Sequence, residues 1–503
     1  MDSEGGGVEM VQSSALRATV GLRSSPLPWA LILVCTGIAG SLTALGSPLA
    51  ALVPIAVVLA AIVARLADPG LFFVCVGLVT LSWDRISIEV GPMTLKPTYV
   101  AFFIAFVLEV RSTRESLLPK PEGRTRALNS WLSSALAGLL ALLVASTIAS
   151  GRFGPGARQI FVILVGALIP CWTVYRVCRV QGRREVAIRW AFIGVALTTV
   201  IGIYQFATAY LPLPLVVPYH GIGSGLARTA GFSYEPAFFA AYLITFVPLV
   251  AVLASREARS NANDMRSSYV PFLLLLMFGI TLANGRAGYL LLIASVIVVS
   301  ISRQGHPARV RMLKIVTGLL IGIISVSVVT RFDLWNFVKE RASSITDTKE
   351  AASNAPRLRV YRTELAIVKD NVWLGIGPGN LGTELPQYGL VLKQYGGAQV
   401  SGEPVPLWRV VANNIWLQAF LDAGVLGGIG TFLVLVCILL WARRCRDIYG
   451  RWLAVGCLLV FMVGGLLTSI FWDVKLWALI GLAFSSGLSR EATSAVGRAP
   501  ADV

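Results

Sequence analysis

Two arginines stand apart from the other basic residues of this chain. Arg228 precedes the segment GFSYEP, and Arg286 sits inside NGRAG, each at the mouth of a long apolar run. A guanidinium is a planar, permanently charged fork that pairs bidentately with phosphate oxygens. Two such forks at the edge of the bilayer suit a diphosphate whose tail lies in lipid. The same residues would also serve as interface anchors, or pair with a nearby acid such as Glu235. Other chemistries have little support. The chain has only two histidines, His220 and His306, so a histidine-held metal is not expected. There is no Walker A pattern, no HExxH and no G-x-S-x-G. No cofactor is implied.

The elements that must hold these arginines are membrane helices. Of the 503 residues, 56% are hydrophobic and 14% charged, and the mean hydropathy is +0.73. A soluble domain carries roughly 25% charged residues. The apolar runs, such as 136–144 and 319–329, are continuous rather than alternating, which selects helices over a barrel. Spans are expected near 28–46, 48–66, 69–83, 96–110, 130–149, 158–176, 186–211, 236–254, 269–284, 286–302, 313–330, 412–441, 452–471 and 475–489. The expected fold is therefore all-α and polytopic, with about 12–14 transmembrane helices at the ~20 residues each that a bilayer requires. The expected order is a tail (1–26), an N-terminal bundle (27–330), a large extracytoplasmic loop (331–411), three last spans (412–489) and a second tail (490–503).

Charge sets the orientation. Alternate loops collect the basic residues: Arg111, Arg114, Lys120, Arg124 and Arg126, then Arg176, Arg179, Arg183, Arg184 and Arg189, then Arg256, Arg259 and Arg266. Arg303, Arg309 and Arg311, and finally Arg443, Arg444, Arg446 and Arg451, complete the series. By the positive-inside rule these loops are cytoplasmic, and so are both termini. The expected location is the cytoplasmic membrane, with Arg228 and Arg286 facing outside. The net charge of +17 reflects this bias and gives no reason to expect nucleic-acid binding. No cleavage pattern precedes Pro26, so a removed signal peptide is not expected. The seven cysteines fall in spans or at their cytoplasmic ends, which argues against disulfides.

Two outside segments are long enough to be functional, 211–236 and 331–411. The first contains His220, the only outside histidine. In the second, RLRVYRTELAIVKD (357–370) places Leu358, Tyr361, Leu365 and Val368 at helical spacing. An amphipathic helix on the membrane surface is expected there, with Arg359 and Arg362 free to meet an anionic glycan or lipid headgroups. In NVWLGIGPGNLG (371–382), the glycines around Pro378 force a tight turn.

Four segments resemble the O-antigen ligase and polymerase superfamily. RTAGFSYEPAFFAAYL (228–243) is similar to the family's Arg-x-x-Gly-x-x-x-x-Pro entry to a span. TLANGRAGYLLL (281–292) is similar to its Ser-Arg-Gly-Ala corner. ELAIVKDNVWLGIGPGNL (364–381) and ANNIWLQAFLDAGVLGGIGTFLVLV (412–436) follow in the family's order, with a large loop before the last. The resemblance implies an integral-membrane, inverting glycosyltransferase. It would take a glycan from a polyprenyl-diphosphate carrier on the outer face and pass it to an acceptor glycan, with no cofactor. A chain-length regulator is a further partner of such systems. The family's diphosphate-binding arginines correspond to Arg228 and Arg286.

One departure bears on the reaction. Where the family's ligases carry a histidine, this chain has Asn413, which is no general base near neutral pH. Asn413 and Asn414 are expected to line the acceptor side by hydrogen bonding. His220, Glu235, Glu384, Glu403 and Asp422 are the remaining candidates for a base. The change favours polymerisation over ligation to a lipid or protein acceptor. A lipid-linked glycan transporter is the rival reading; it would need charged residues in mid-span.

Overall fold

The computed structural model describes residues 68–90, 93–111, 123–180, 182–214, 222–223, 226–260, 269–283, 286–301, 354–389, 407, 410–466, 468–469 and 471–488. The expected spans 28–46, 48–66 and 313–330 lie outside these residues, as do both tails. Twelve helices carry the described architecture: α1 (Pro69–Val79), α2 (Pro97–Arg111), α3 (Gly123–Ala149), α4 (Phe153–Cys178), α5 (Arg183–Thr208) and α6 (Pro236–Ser260). They continue with α7 (Tyr269–Ala283), α8 (Arg286–Ile301), α9 (Asn354–Asp370), α10 (Ile415–Arg444), α11 (Ile448–Met462) and α12 (Val474–Phe484). Two short antiparallel hairpins, Ile88–Val90 with Met93–Leu95 and Ile222–Gly223 with Leu226–Ala227, lie in loops. The protein is an all-α, multi-pass membrane protein. Six described helical segments are long and apolar enough to cross a bilayer.

Burial identifies the axis of the bundle. In α6, 89% of the membrane-length window is buried by other protein, against 28% in α3. Around α6 pack α7, α8 and α11, while α12 lies against the second half of α4. Small residues let backbones touch. Gly456 of α11 sits on Thr245 of α6, and Gly481 of α12 sits on Cys171 of α4. Within α4, Pro170 denies a bond to the turn before it, and the helix widens to a π-turn at Leu164–Leu168. At the arginine-rich end of the bundle, Arg183 pairs with Asp68 (2.5 Å), Arg176 with Glu109 (3.3 Å) and Arg184 with Asp447 (2.8 Å).

The expected span 412–441 is α10, and it is broken. Ala423 and Gly424 leave helical geometry, with Gly424 at φ +63 and ψ −156. Backbone groups freed inside lipid need protein partners. The loop after α9 supplies them: Ile376 N–H donates to Leu421 C=O (2.7 Å), and Val425 N–H donates to Val372 C=O (2.8 Å). Ser146 of α3 closes the joint, its Oγ 2.5 Å from the Leu374 carbonyl and 2.7 Å from that of Asp422. The turn expected around Pro378 is present, with Gly375 at φ +66, but Gly375 does more than turn. A Cβ there would strike the Leu421 carbonyl, and one on Gly424 would strike the Trp373 carbonyl.

The expected amphipathic helix forms as α9 and packs on α10. Its buried face is Val360, Thr363, Glu364 and Ile367, while Leu365 is exposed. Two polar residues, Thr363 and Glu364, occupy the stripe turned toward the protein. Val360 and Ile367 join Ile376, Leu381, Leu385 and Leu421 in one small core.

Replacing Gly424 or Gly375 with Ala should destabilise the protein by at least the ~1–3 kcal/mol of a strained backbone position. A lower melting temperature of the detergent-purified protein would show it. The control Gly138→Ala, mid-helix in α3 where a Cβ meets nothing within 4 Å, should not lower the melting temperature.

Candidate functional site

Arg228 lies on a strap, residues 227–234, that turns at Gly231 and is tied to its surroundings along most of its length. Ala227 N–H donates to Tyr210 Oη (2.9 Å). Thr229 N–H donates to the Leu282 carbonyl at the end of α7 (3.2 Å). Gln205, a wholly buried amide within α5, accepts from Ala230 N–H (3.2 Å) and Gly231 N–H (2.9 Å). Its own N–H donates to the Gly231 carbonyl (2.7 Å). Beyond it, Arg85 N–H donates to Phe232 C=O (2.9 Å), and Arg85 Nη2 reaches Tyr234 C=O (3.4 Å). Glu235 is exposed at the junction with α6.

The Thr229–Leu282 bond brings the Arg228 strap to the corner between α7 and α8, where Arg286 is the first residue of α8. Arg228 is half-buried. The hydroxyls of Thr229 and Ser233, both wholly buried, have no hydrogen-bond partner among the described residues. The Arg286 side chain and the whole of His220 lie outside the described residues.

A cluster of buried charges underlies the strap. Asp84 offers one oxygen to Lys96 (2.7 Å) and the other to Lys475 (2.7 Å), and Lys475 also meets Asp473 (3.1 Å). Asp84 and Lys475 are 3% and 4% exposed. Two acids and two bases cancel, which is the condition for burying them. Burial alone would raise the Asp84 carboxyl, but the ammonium groups of Lys475 and Lys96 outweigh it and hold it at about 2, against an ordinary 3.8. The cluster grips the strap through aromatic rings. Lys96 Nζ lies 5.1 Å from the Tyr234 ring, and Lys475 Nζ lies 5.7 Å from that of Phe238.

The other expected residues divide. Asn413 is half-buried and makes no side-chain hydrogen bond among the described residues. Asn414 is the N-cap of α10, its Oδ1 accepting from Trp416 N–H (2.8 Å) and Leu417 N–H (3.3 Å). Its Nδ2 donates to the Leu466 carbonyl (3.2 Å), so both ends of this amide serve the fold. Arg359 and Arg362 are exposed on α9. Glu384 pairs with Arg152, which also donates to Thr383 Oγ1 (3.0 Å). Asp422, directly before the break in α10, accepts from Gln418 Nε2 (2.6 Å). Glu403 lies outside the described residues.

With this geometry in view, the family comparison is decisive for one part of the chain. Residues 271–432 match the family model Wzy_C, described as O-antigen ligase. They form an O-antigen ligase domain. The match supports the O-antigen ligase/polymerase superfamily, a family tied to surface polysaccharide biosynthesis. The O-antigen ligase domain runs from α7 through the joint into the broken half of α10. It includes the Arg286 corner, Asn413 and Asp422, while the Arg228 strap precedes it. No curated protein matches the chain.

Gln205, Asp84, Lys96, Lys475 and Gln418 escaped the sequence reading. A lone Gln inside the apolar run 186–211 is the one signal that was there to be used. The lysines sit at span heads, where they resemble ordinary interface residues.

Lys475→Met should cost about 3–5 kcal/mol, as removal of one partner from a buried pair does, read as a lower melting temperature. The Asp84 carboxyl is held below its ordinary value, so its contribution is complete above pH 3.8 and is lost as pH falls through about 2. Melting temperatures between neutral pH and pH 5 should therefore show no loss from this cluster.

Proposed function

We propose that the protein is an inverting glycosyltransferase of the cytoplasmic membrane, using a polyprenyl-diphosphate-linked glycan as donor on the outer face. Arg228 and Arg286 bind the diphosphate. The observation that carries this reading is the hydrogen bond from Thr229 to Leu282, which joins the two arginine-bearing segments at one end of the bundle. The hydroxyls of Thr229 and Ser233 lie on the same strap and are wholly buried. Glu235 lies at the lip of the same strap, and His220 and the exposed Arg359 and Arg362 belong to the glycan-facing side.

The step is a displacement at the anomeric carbon. The acceptor hydroxyl oxygen attacks that carbon opposite the diphosphate, and the carbon–oxygen bond to phosphate breaks. The freed phosphate oxygen takes the electron pair and then the proton shed by the hydroxyl. Atoms balance without a nucleotide or a protein base, because the arginines stabilise the charge that develops on the leaving group. Asn413 accepts a hydrogen bond from the attacking hydroxyl and orients it. With asparagine in that place, the acceptor is the growing glycan and the enzyme polymerises repeat units. A chain-length regulator would then act beside it.

The test is genetic. Deletion in the host should leave single repeat units on their final acceptor, and wild type should restore long chains. Accumulation of long chains on the lipid carrier would instead identify a ligase. Arg228→Ala and Arg286→Ala should each cut transfer by about 10²–10³-fold, the scale for loss of one leaving-group donor. Full restoration of the wild-type pattern by either variant would contradict the diphosphate assignment.

A further inference from the structure

Asp422 is linked through one side chain to the residue before Asn413, and its surroundings define a role. Its backbone carbonyl is 2.7 Å from Ser146 Oγ, and its position is set by the break at Ala423–Gly424. Its side chain is 4% exposed and accepts from Gln418 Nε2 (2.6 Å). The other end of the same amide, Gln418 Oε1, accepts from Ala412 N–H (2.5 Å). Ala412 is buried and directly precedes Asn413. The amide of Gln418 is directional. Only an acceptor at residue 422 turns its NH2 group inward and its oxygen toward Ala412. An apolar cavity of about 10 Å³, lined also by Ile415, Thr431 and Trp472, adjoins Gln418 and Asp422; it is about one water in size.

We infer that Asp422 and Gln418 are positioning residues: together they fix the Ala412–Asn413 backbone, and so aim the Asn413 amide at the acceptor hydroxyl. The Asp422 carboxylate exchanges no proton with substrate. Its work is to orient Gln418 as a hydrogen-bond acceptor for Ala412. The chain also ties the Asn413 backbone to the joint between α9 and α10, because Asp422 belongs to both. This inference rests on the proposed role of Asn413.

Asparagine at 422 keeps a carbonyl oxygen for Gln418, whereas leucine does not. The test uses membrane vesicles of the deletion host, which carry that host's own lipid-linked glycan as donor. Chain elongation is measured per amount of full-length protein, and each variant is also purified for its melting temperature. Asp422→Asn should transfer within about threefold of wild type, while Asp422→Leu should lose about 10²-fold, the scale for a misplaced reacting group. Gln418→Leu/Asp422→Leu removes the Gln418–Asp422 pair together and leaves the buried Ala412 N–H without its acceptor, which costs some stability. It should fold with a somewhat lower melting temperature and lose transfer. Two results would overturn the inference. One is an Asp422→Asn variant as inactive as Asp422→Leu at the wild-type melting temperature, which would make the carboxylate itself a reactant. The other is wild-type transfer by the double variant. Arg286→Ala in the same vesicles reads the donor assignment separately. If it transfers at the wild-type rate, the diphosphate reading fails whatever the Asp422 series shows. If it is inactive and the double variant is not, only the positioning inference fails.

Discussion

Lipid offers no hydrogen bonds, so a helix that breaks inside a bilayer must be mended by protein. That constraint organises one half of this molecule. The break at Ala423–Gly424 in α10 frees backbone groups, and residues 372–376 supply their partners. Because the mending segment follows α9, the break also draws α9 and its small core onto the head of α10. The Asn414 cap, the Gln418 amide and Asp422 then follow in successive turns. Geometry that would be a defect in a plain span here joins α9 to the membrane bundle. Glycine is required on both sides of the joint, at 375 and 424, since either Cβ would fall on a carbonyl oxygen.

The other half of the site obeys the same rule in a different form. The Arg228 strap is non-helical backbone in a largely buried setting, and most of its amides need partners from outside it. Tyr210, Gln205, Leu282 and Arg85 pair them instead. Beneath it, the Asp84, Lys96, Lys475 and Asp473 side chains neutralise each other and hold Tyr234 and Phe238 in place. A guanidinium carried on a segment tied at so many points is preorganised. It need not lose much freedom when an anion arrives, and preorganised charge is what stabilises a leaving group efficiently.

Much of the helical scaffold was legible because lipid makes a blunt demand on composition. Long apolar runs became α3 to α8 and α10 to α12, most of them with ends shifted by only a few residues. The Arg228 and Arg286 segments stood out in the sequence because each carries a permanent charge at the mouth of a span. The rest was hidden by three-dimensional pairing. Thr363 and Glu364 are buried in α9, where apolar spacing does not mark them. Asp84 and Lys475 are far apart in the chain and meet only once α12 packs beside the loop before α2. The break in α10 has a glycine to mark it, but so do many unbroken helices here. Its signature is the pair Gly375 and Gly424, visible only after the two segments meet.

The central claim is that two arginine-bearing segments, joined through Thr229 and Leu282, recognise a lipid-anchored diphosphate. The most direct measurement is binding of farnesyl diphosphate to the full-length protein in nanodiscs, with farnesol as the uncharged control. The account predicts that wild type binds the diphosphate and not the alcohol, and that Arg228→Ala and Arg286→Ala each lose that binding while keeping their melting temperatures. Equal binding of diphosphate and alcohol, or undiminished binding by both variants, would contradict it.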